Sequence, residues 1–232
     1  MPRQTVAEAL GSALLAATVV GSGIMAERLA NGNAAVALLA NTGATVAVLA
    51  TLIALFGPLS GAHFNPIVTL NAWIGGKLET KRALTHMLAQ VAGCCLGAVL
   101  AHLMFELPAL QASTHARTGP AQLLSEFVAT LGLALIVLHS PSVSAAAWRV
   151  PLWIGAAYWF TASTSFANPA ITVARSLTDT FSGIRPMDVP GFVIAQIAGG
   201  LAGFVTHRFL FAHRKAASVA AVGATTPSDL QT

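Results

Sequence analysis

The sequence predicts an all-α membrane protein with six transmembrane helices and two opposed membrane half-helices, arranged as an inverted repeat. Its 232 residues are 55% hydrophobic and only 9% charged, which is too little charge to cover a soluble globule. Several apolar runs are long enough to cross a bilayer. A five-residue stretch also occurs twice, as NPIVT at 65–69 and NPAIT at 168–172. The recurrence indicates a duplicated unit.

The first repeat, at 5–105, predicts three spans and one half-helix. The spans are expected at 9–26, 34–56 and 83–105, and the half-helix at 65–75. Glu8 stands at the edge of the first span, and Gly57-Pro58 is expected to end the second because proline breaks a helix interior. Gly75-Gly76 ends the half-helix.

The second repeat, at 121–211, follows the same order. Its spans are expected at 121–139, 147–163 and 188–211, and its half-helix at 168–181. Glu126 matches Glu8, and residues 89–98 align without gaps to 195–204. Three crossings per repeat is an odd number, so the second copy enters the membrane from the opposite side. We expect one domain over 1–215, followed by a disordered tail at 216–232 that is rich in Ala, Ser and Thr.

Each half-helix begins with asparagine at the N-cap and proline at the first helical position, Asn65-Pro66 and Asn168-Pro169. About 10 helical residues rise roughly 15 Å, half of a roughly 30 Å hydrocarbon core. The first N–H groups of such a helix would lie at mid-membrane, where lipid cannot satisfy them. The two helix starts are therefore expected to line a polar cavity.

The basic residues predict the orientation. With both termini in the cytoplasm, eight basic residues are cytoplasmic and three are external, as the positive-inside rule favours. The cytoplasmic set is Arg3, Lys77, Lys81, Arg82, Arg149, Arg208, Arg214 and Lys215, and the external set is Arg28, Arg117 and Arg185. The half-helices then enter from opposite sides and their N-termini meet.

Two positive helix ends at one point create a barrier to cations, whereas a neutral hydrogen-bonding solute meets none. The amides of Asn65 and Asn168 supply donors there. The residues therefore predict a passive pore for small neutral polar molecules, with the bilayer as its surroundings and no nucleic acid as partner.

Over about 5–211, the chain resembles the aquaporin and aquaglyceroporin family. The resemblance lies in the paired asparagine-proline starts, in Ser60-Gly61-Ala62-His63, and in Glu8 and Glu126. It implies one pore per protomer, a homotetramer, and Asn65 and Asn168 as donors to the permeating solute. The chain is also similar to the channels found with bacterial arsenic-resistance genes, which implies a bacterial inner membrane and undissociated arsenous acid as a permeant.

Two positions depart from the family pattern. Ile67 replaces the alanine of the first motif and puts a bulkier group where the half-helices are expected to abut. Ile171 stands where the family's filter arginine normally follows the second motif, and Arg175 lies four residues later. Four residues are about 400° of helix, so Arg175 is expected on nearly the same face, roughly 6 Å nearer the outer mouth.

The other filter positions are expected to be small. Gap-free counting places Thr45 on the second span and Ala156, between Gly155 and Ala157, on the fifth. A filter whose side chains lack bulk and hydrogen-bond donors would pass glycerol, urea or arsenous acid. The alternative is a strict water channel. A rotation of the fifth span would instead bring in Tyr158, Trp159 or Phe160.

Several residues have two interpretations. Glu8 and Glu126 either support the backbone before the half-helices or act as proton relays in a coupled secondary transporter. His63 either orients its loop or gates by pH. Arg175 either lines the pore or pairs with Asp179 at i, i+4.

No chemistry beyond conduction is predicted. The histidines and cysteines form no metal-spaced pair on one helical face within a span, so we expect neither an enzyme, a metal site nor a cofactor. The glycines at 93, 97, 199 and 203 are typical of close helix packing in membranes.

Overall fold

The computed structural model describes residues 2–211, and within them it is built of α-helices with one short 3-10 helix. The helices of the first repeat are α1 (Arg3–Leu29), α2 (Ala34–Ser60), α3 (Pro66–Ile74) and α4 (Thr80–Met104). Those of the second are α5 (Pro120–His139), α6 (Val143–Phe160), α7 (Pro169–Arg175) and α8 (Val189–Phe211), with the 3-10 turn at Pro186–Asp188. The predicted fold class and element order are confirmed. The predicted tail at 216–232 lies outside the described residues.

Length and composition make five of the described helices able to cross a membrane: α1, α2, α4, α5 and the segment Pro186–Phe211 that contains α8. Helix α6 is not among them. It has 18 residues, and Arg149, Tyr158 and its tryptophans lower its hydropathy. Because α6 packs against both α2 and α5, it belongs to the same bundle.

Helix α2 does not break at Gly57-Pro58 as expected. Pro58 lies inside the helix, which continues to Ser60 and ends at Gly61 in the left-handed conformation, with φ 92°. Proline removes only one backbone donor, and membrane helices tolerate that loss. The turn chemistry of Gly61, rather than Pro58, therefore determines where α2 ends.

Helix α7 ends at Arg175, six residues before the predicted end at 181. Beyond it the backbone bonds to the linker between the repeats: Gln111 N–H donates to the Leu177 carbonyl and Ser113 N–H to the Ser176 carbonyl, both at 3.0 Å. These bonds replace a further helical turn. The alternative pairing of Arg175 with Asp179 at helical spacing is therefore wrong, and Asp179 instead accepts from Thr114.

Glycines bring the matching helices of each repeat into close contact. A Cβ added at Gly93 or Gly97 of α4 would overlap the carbonyl oxygen of Ala9 or Ala13 of α1. Gly199 and Gly203 of α8 approach the carbonyls of Phe127 and Leu131 of α5 in the same way. The predicted packing role of the glycines is confirmed, and it places α3 and α7 between two equivalent helix pairs.

Candidate functional site

The two half-helices begin at the same place inside the bundle. The side-chain oxygen of Asn65 accepts from Ile67 N–H at 2.9 Å, and that of Asn168 accepts from Ala170 N–H at 2.9 Å and Ile171 N–H at 3.3 Å. Both asparagines are therefore N-caps, as their sequence positions predicted.

The caps also bond across the contact between the repeats. Asn65 Nδ2 donates to the Ala167 carbonyl and Asn168 Nδ2 donates to the Phe64 carbonyl, both at 2.8 Å. Each amide nitrogen carries two hydrogens, so one remains for another acceptor. Both residues line the same cavity. The arrangement offers a pair of donors to a solute at the meeting point of α3 and α7.

The backbone that leads into each half-helix is left-handed at matching positions. Ala62 and Phe64 have φ of 49° and 48°, and Ser165 and Ala167 have φ of 50° and 47°. Such angles in non-glycine residues cost on the order of 1 kcal/mol or more each and persist only where the surroundings fix them. Here the surroundings are two buried carboxylates.

Glu8 is fully buried and holds the first of these segments. Its carboxylate accepts from Ser60 Oγ, from the N–H groups of His63 and Phe64, and from Gln90 Nε2, at 2.6 to 3.0 Å. Glu126 is equally buried. It accepts from the N–H groups of Phe166 and Ala167 and from Gln196 Nε2, at 2.6 to 2.9 Å. Neither carboxylate lines the cavity.

Sequence reasoning missed the residues that complete these two networks. Gln90 and Gln196 each also donate to a threonine of the half-helix, to Thr69 Oγ1 at 2.9 Å and Thr172 Oγ1 at 2.8 Å. The signal was available, because the glutamines occupy matching positions in the aligned segments 89–98 and 195–204 and the threonines close the duplicated motifs.

His63, predicted to support its loop, lies at the cavity wall. Its Nδ1 is 3.1 Å from Thr69 Oγ1, in the network just described. Its ring also meets that of buried His86 edge to face, with centroids 6.2 Å apart.

The cavity has a volume of about 350 Å³ and runs past both asparagines. Lys77, Ser140 and Ser142 line one end, and Thr45, Tyr158 and Arg175 line the other. Between them one wall is apolar, formed by Leu15, Val19, Leu49, Ile53, Leu133, Val150 and Ile154. Among the described residues no carboxylate lines it. A cation would therefore lose hydration along the apolar wall without meeting an acidic partner.

At the Arg175 end, polar groups and rings surround the cavity. Arg175 Nε donates to the Ser182 carbonyl, and its guanidinium carbon lies 3.4 Å from the centroid of the Phe166 ring. Thr45 Oγ1 is 3.3 Å from the Tyr158 hydroxyl. The lining at this end is formed by Thr45, Tyr158, Phe166, Ile171 and Arg175.

Two residues predicted to line the pore do not line this cavity. Ile67 is buried, and its side chain packs against Gly200 of α8, where a Cβ would overlap it. The extra bulk is thus accommodated by a glycine rather than at the contact between the half-helices.

Ala156 is exposed on the outside of α6. The cavity face of α6 carries Ala146, Val150, Ile154 and Tyr158, at a spacing of four residues. Ala156 follows Ile154 by two residues, about 200° of helix, and so points away. Tyr158, the alternative that a rotated fifth span allowed, supplies the bulk instead of the small residues at 155–157.

Comparisons with known proteins point to one family. The family model described as Major intrinsic protein matches residues 1–159. Aquaglyceroporin AqpS of Rhizobium meliloti is 54% identical over 215 residues, covering 90% of this chain and 91% of the relative. Aquaporin Z of Photorhabdus laumondii is 26% identical over 71% of this chain and 79% of the relative. The X-ray structure of the aquaglyceroporin from Plasmodium falciparum matches with a TM-score of 0.65 and 21% identity, over 89% of this chain and 94% of that one.

Proposed function

The chain belongs to the major intrinsic protein family of membrane channels, and we propose that it conducts water and neutral solutes of glycerol size, undissociated arsenous acid included. The proposed path passes Asn65 and Asn168 at its centre and Thr45, Ile171 and Arg175 at one end. Glu8, Glu126 and His63 hold the backbone around it. The chain has no catalytic role, because channels of this family are not enzymes.

The observation that carries the proposal is the pair of asparagine amides in a cavity to which residues 2–211 contribute no carboxylate. Each amide keeps one hydrogen for a passing oxygen, and the positive ends of α3 and α7 face the same point. A hydroxyl-bearing neutral solute can replace its water partners there. A cation meets a positive potential, and any ion loses hydration against the apolar wall.

The lining at the Arg175 end supports the passage of solutes larger than water. Only Nε of Arg175 has a hydrogen-bond partner within residues 2–211, so its terminal nitrogens remain donors for a solute. Ile171 and Phe166 give this end an apolar side as well. Glycerol and arsenous acid both present hydroxyl groups on a compact neutral centre, which suits such a mixed surface. The name aquaglyceroporin of the 54% identical relative supports glycerol in particular.

A coupled transporter is disfavoured by the surroundings of Glu8 and Glu126. Both are fully buried, are bonded to backbone that precedes a half-helix, and do not line the cavity. A coupling carboxylate needs access to the solute path or to a proton route.

The remaining elements of the proposal concern placement. We infer that the Lys77 end faces the cytoplasm, since the basic residues are concentrated on that side, and that both termini lie there in a bacterial inner membrane. The repeats form one channel domain over 1–215. Channels of this family suggest a homotetramer with a separate pore in each protomer.

The test is flux in proteoliposomes that contain the full chain. Stopped-flow light scattering would measure water, glycerol and urea, and arsenite uptake would be measured in the same vesicles. We expect each flux to exceed that of protein-free vesicles, to remain unsaturated with concentration, and to ignore an imposed pH gradient. Water flux without glycerol or arsenite flux would leave a strict water channel, and saturable flux driven by a pH gradient would establish a transporter.

A further inference from the structure

Arg117 belongs to the linker between the repeats, yet its side chain reaches the Arg175 end of the channel. Its Nε donates to the Gly183 carbonyl at 2.8 Å and its Nη1 to the Ser163 carbonyl at 3.2 Å. Its backbone N–H donates to Asp188 Oδ2 at 2.9 Å. Arg117 therefore connects the linker to the stretch before α7 and to the stretch after it.

Arg117 and Arg175 share two sets of contacts. Their Nε atoms donate to consecutive carbonyls, those of Gly183 and Ser182. Their guanidinium carbons lie over the same ring, that of Phe166, at 4.9 Å and 3.4 Å from its centroid. Displacement of the Arg117 side chain would therefore remove one support from both the ring and the backbone that hold Arg175.

Phe166 transmits this support to the cavity. It lines the cavity beside Arg175, and its ring packs edge to face on Phe192 with centroids 5.2 Å apart. Its backbone N–H is fixed by Glu126. The ring position thus depends on Phe192 and on the two guanidinium groups.

Arg117 also contributes charge. Burial lowers the pKa of Arg117 to about 10, which leaves the guanidinium protonated at neutral pH. Among the described residues it makes no salt bridge. Its positive charge is therefore uncompensated by a direct partner and adds to that of Arg175.

We propose that Arg117 is a specificity-determining positioning residue, which fixes Phe166 and Arg175 so that the Arg175 end of the channel rejects solutes larger than water more strongly than it would without it. The inference deepens the proposed function and rests on it. Arg117 does not line the cavity itself and acts through Arg175.

The experiment measures the ratio of glycerol to water permeability in proteoliposomes. Arg117→Gln should raise this ratio about threefold or more, the order expected when a partly buried cation–π contact is lost. Arg185→Gln is the matched control, because Arg185 lies in the same region and bonds to Asp188 and Thr118, whereas within residues 2–211 the guanidinium groups over the Phe166 ring are those of Arg117 and Arg175. It should leave the ratio unchanged.

A role exerted through Arg175 predicts coupling. In an Arg175→Gln background, Arg117→Gln should change the ratio of glycerol to water permeability by less than about 1.5-fold. If the two residues acted independently, Arg117→Gln would change this ratio by the same factor in both backgrounds. A ratio that falls or stays constant in Arg117→Gln, or an effect of the same size in both backgrounds, would overturn the inference.

Two further measurements keep the test decisive. Arg117→Lys retains the charge but has no planar group that can bond to both the Gly183 and the Ser163 carbonyls, so it should raise the ratio by a smaller factor. This variant replaces Arg117→Gln in the test if the glutamine variant does not fold. If the unmodified channel passes water and no glycerol, the proposed function fails by itself. Arg117→Gln should then admit glycerol where Arg185→Gln does not, so the inference is still tested.

Discussion

Asn65 and Asn168 each donate a side-chain hydrogen bond, at 2.8 Å, to the carbonyl of the residue that precedes the other. Each asparagine therefore caps the N-terminus of its own helix and fixes the backbone that precedes the opposite helix. This reciprocity locks the two half-helices end to end, and it orients the remaining amide hydrogens toward the cavity.

Replacement of Asn168 with leucine should reduce water and glycerol flux to the level of protein-free vesicles. The apolar side chain removes the donor and fills the cavity at its centre. The Phe64 carbonyl also loses the hydrogen bond that Asn168 donates from the other repeat. Flux and membrane insertion would both be measured. Asn33→Ala is the control, since Asn33 caps α2 by the same type of bond at an exposed site. It should lose about 1 kcal/mol of stability and keep its flux. Normal permeability in Asn168→Leu would remove the asparagine from the path.

Glu126→Gln should lower thermal stability and leave the permeability of the folded fraction intact. The new glutamine side chain carries an NH2 group in place of one carboxylate oxygen. That group would face the backbone N–H groups or the Gln196 amide, which already donate to this position, so two donors would meet without an acceptor. One unsatisfied buried group costs about 1 to 3 kcal/mol. Unfolding would be followed by circular dichroism in detergent, with Glu79→Gln as an exposed control. A variant of normal stability that has lost flux driven by a pH gradient would instead support the transporter.

Gly199→Val should strongly impair folding, because the added side chain would overlap the backbone of Phe127 where α8 crosses α5. Overpacking at a rigid contact costs about 1 to 3 kcal/mol or more. Gly43→Ala is the matched control in α2, where no atom of the described residues lies within 4 Å of the new Cβ, and helix propensity predicts a gain of about 0.5 to 1 kcal/mol. Thermal unfolding and yield of both variants distinguish the two outcomes; equal yields would show that the α5–α8 contact adjusts.

Thr45→Phe should reduce glycerol flux about tenfold and water flux less, since a ring at this position occupies the cavity beside Tyr158. Stopped-flow measurements on the same vesicles give both fluxes. Thr51→Phe provides the comparison, because Thr51 makes the same bond to the carbonyl four residues earlier on the exposed face of α2. If both variants lower glycerol flux equally, the effect comes from α2 and not from the filter.

The sequence alone was sufficient for the repeat, the order of the elements and the paired helix starts. These features depend on local chemistry: apolar length decides which segments can cross a bilayer, and asparagine followed by proline favours a helix start wherever it occurs. The duplication of NPIVT and NPAIT then indicated that the starts correspond. The roles expected of Glu8 and Glu126 also followed from their matching positions.

Only the tertiary structure decided which side chains face the cavity. The register of α6 depends on how α6 packs against α2 and α5, and that packing placed Tyr158 inside and Ala156 outside. Ile67 turned toward α8 because Gly200, far away in sequence, leaves room there. Helix α7 ends early, at Arg175, because the linker between the repeats bonds to the backbone of the residues that follow. The same linker carries Arg117, whose guanidinium group lies over the Phe166 ring. These outcomes depend on contacts between distant segments, which local pattern and periodicity do not encode.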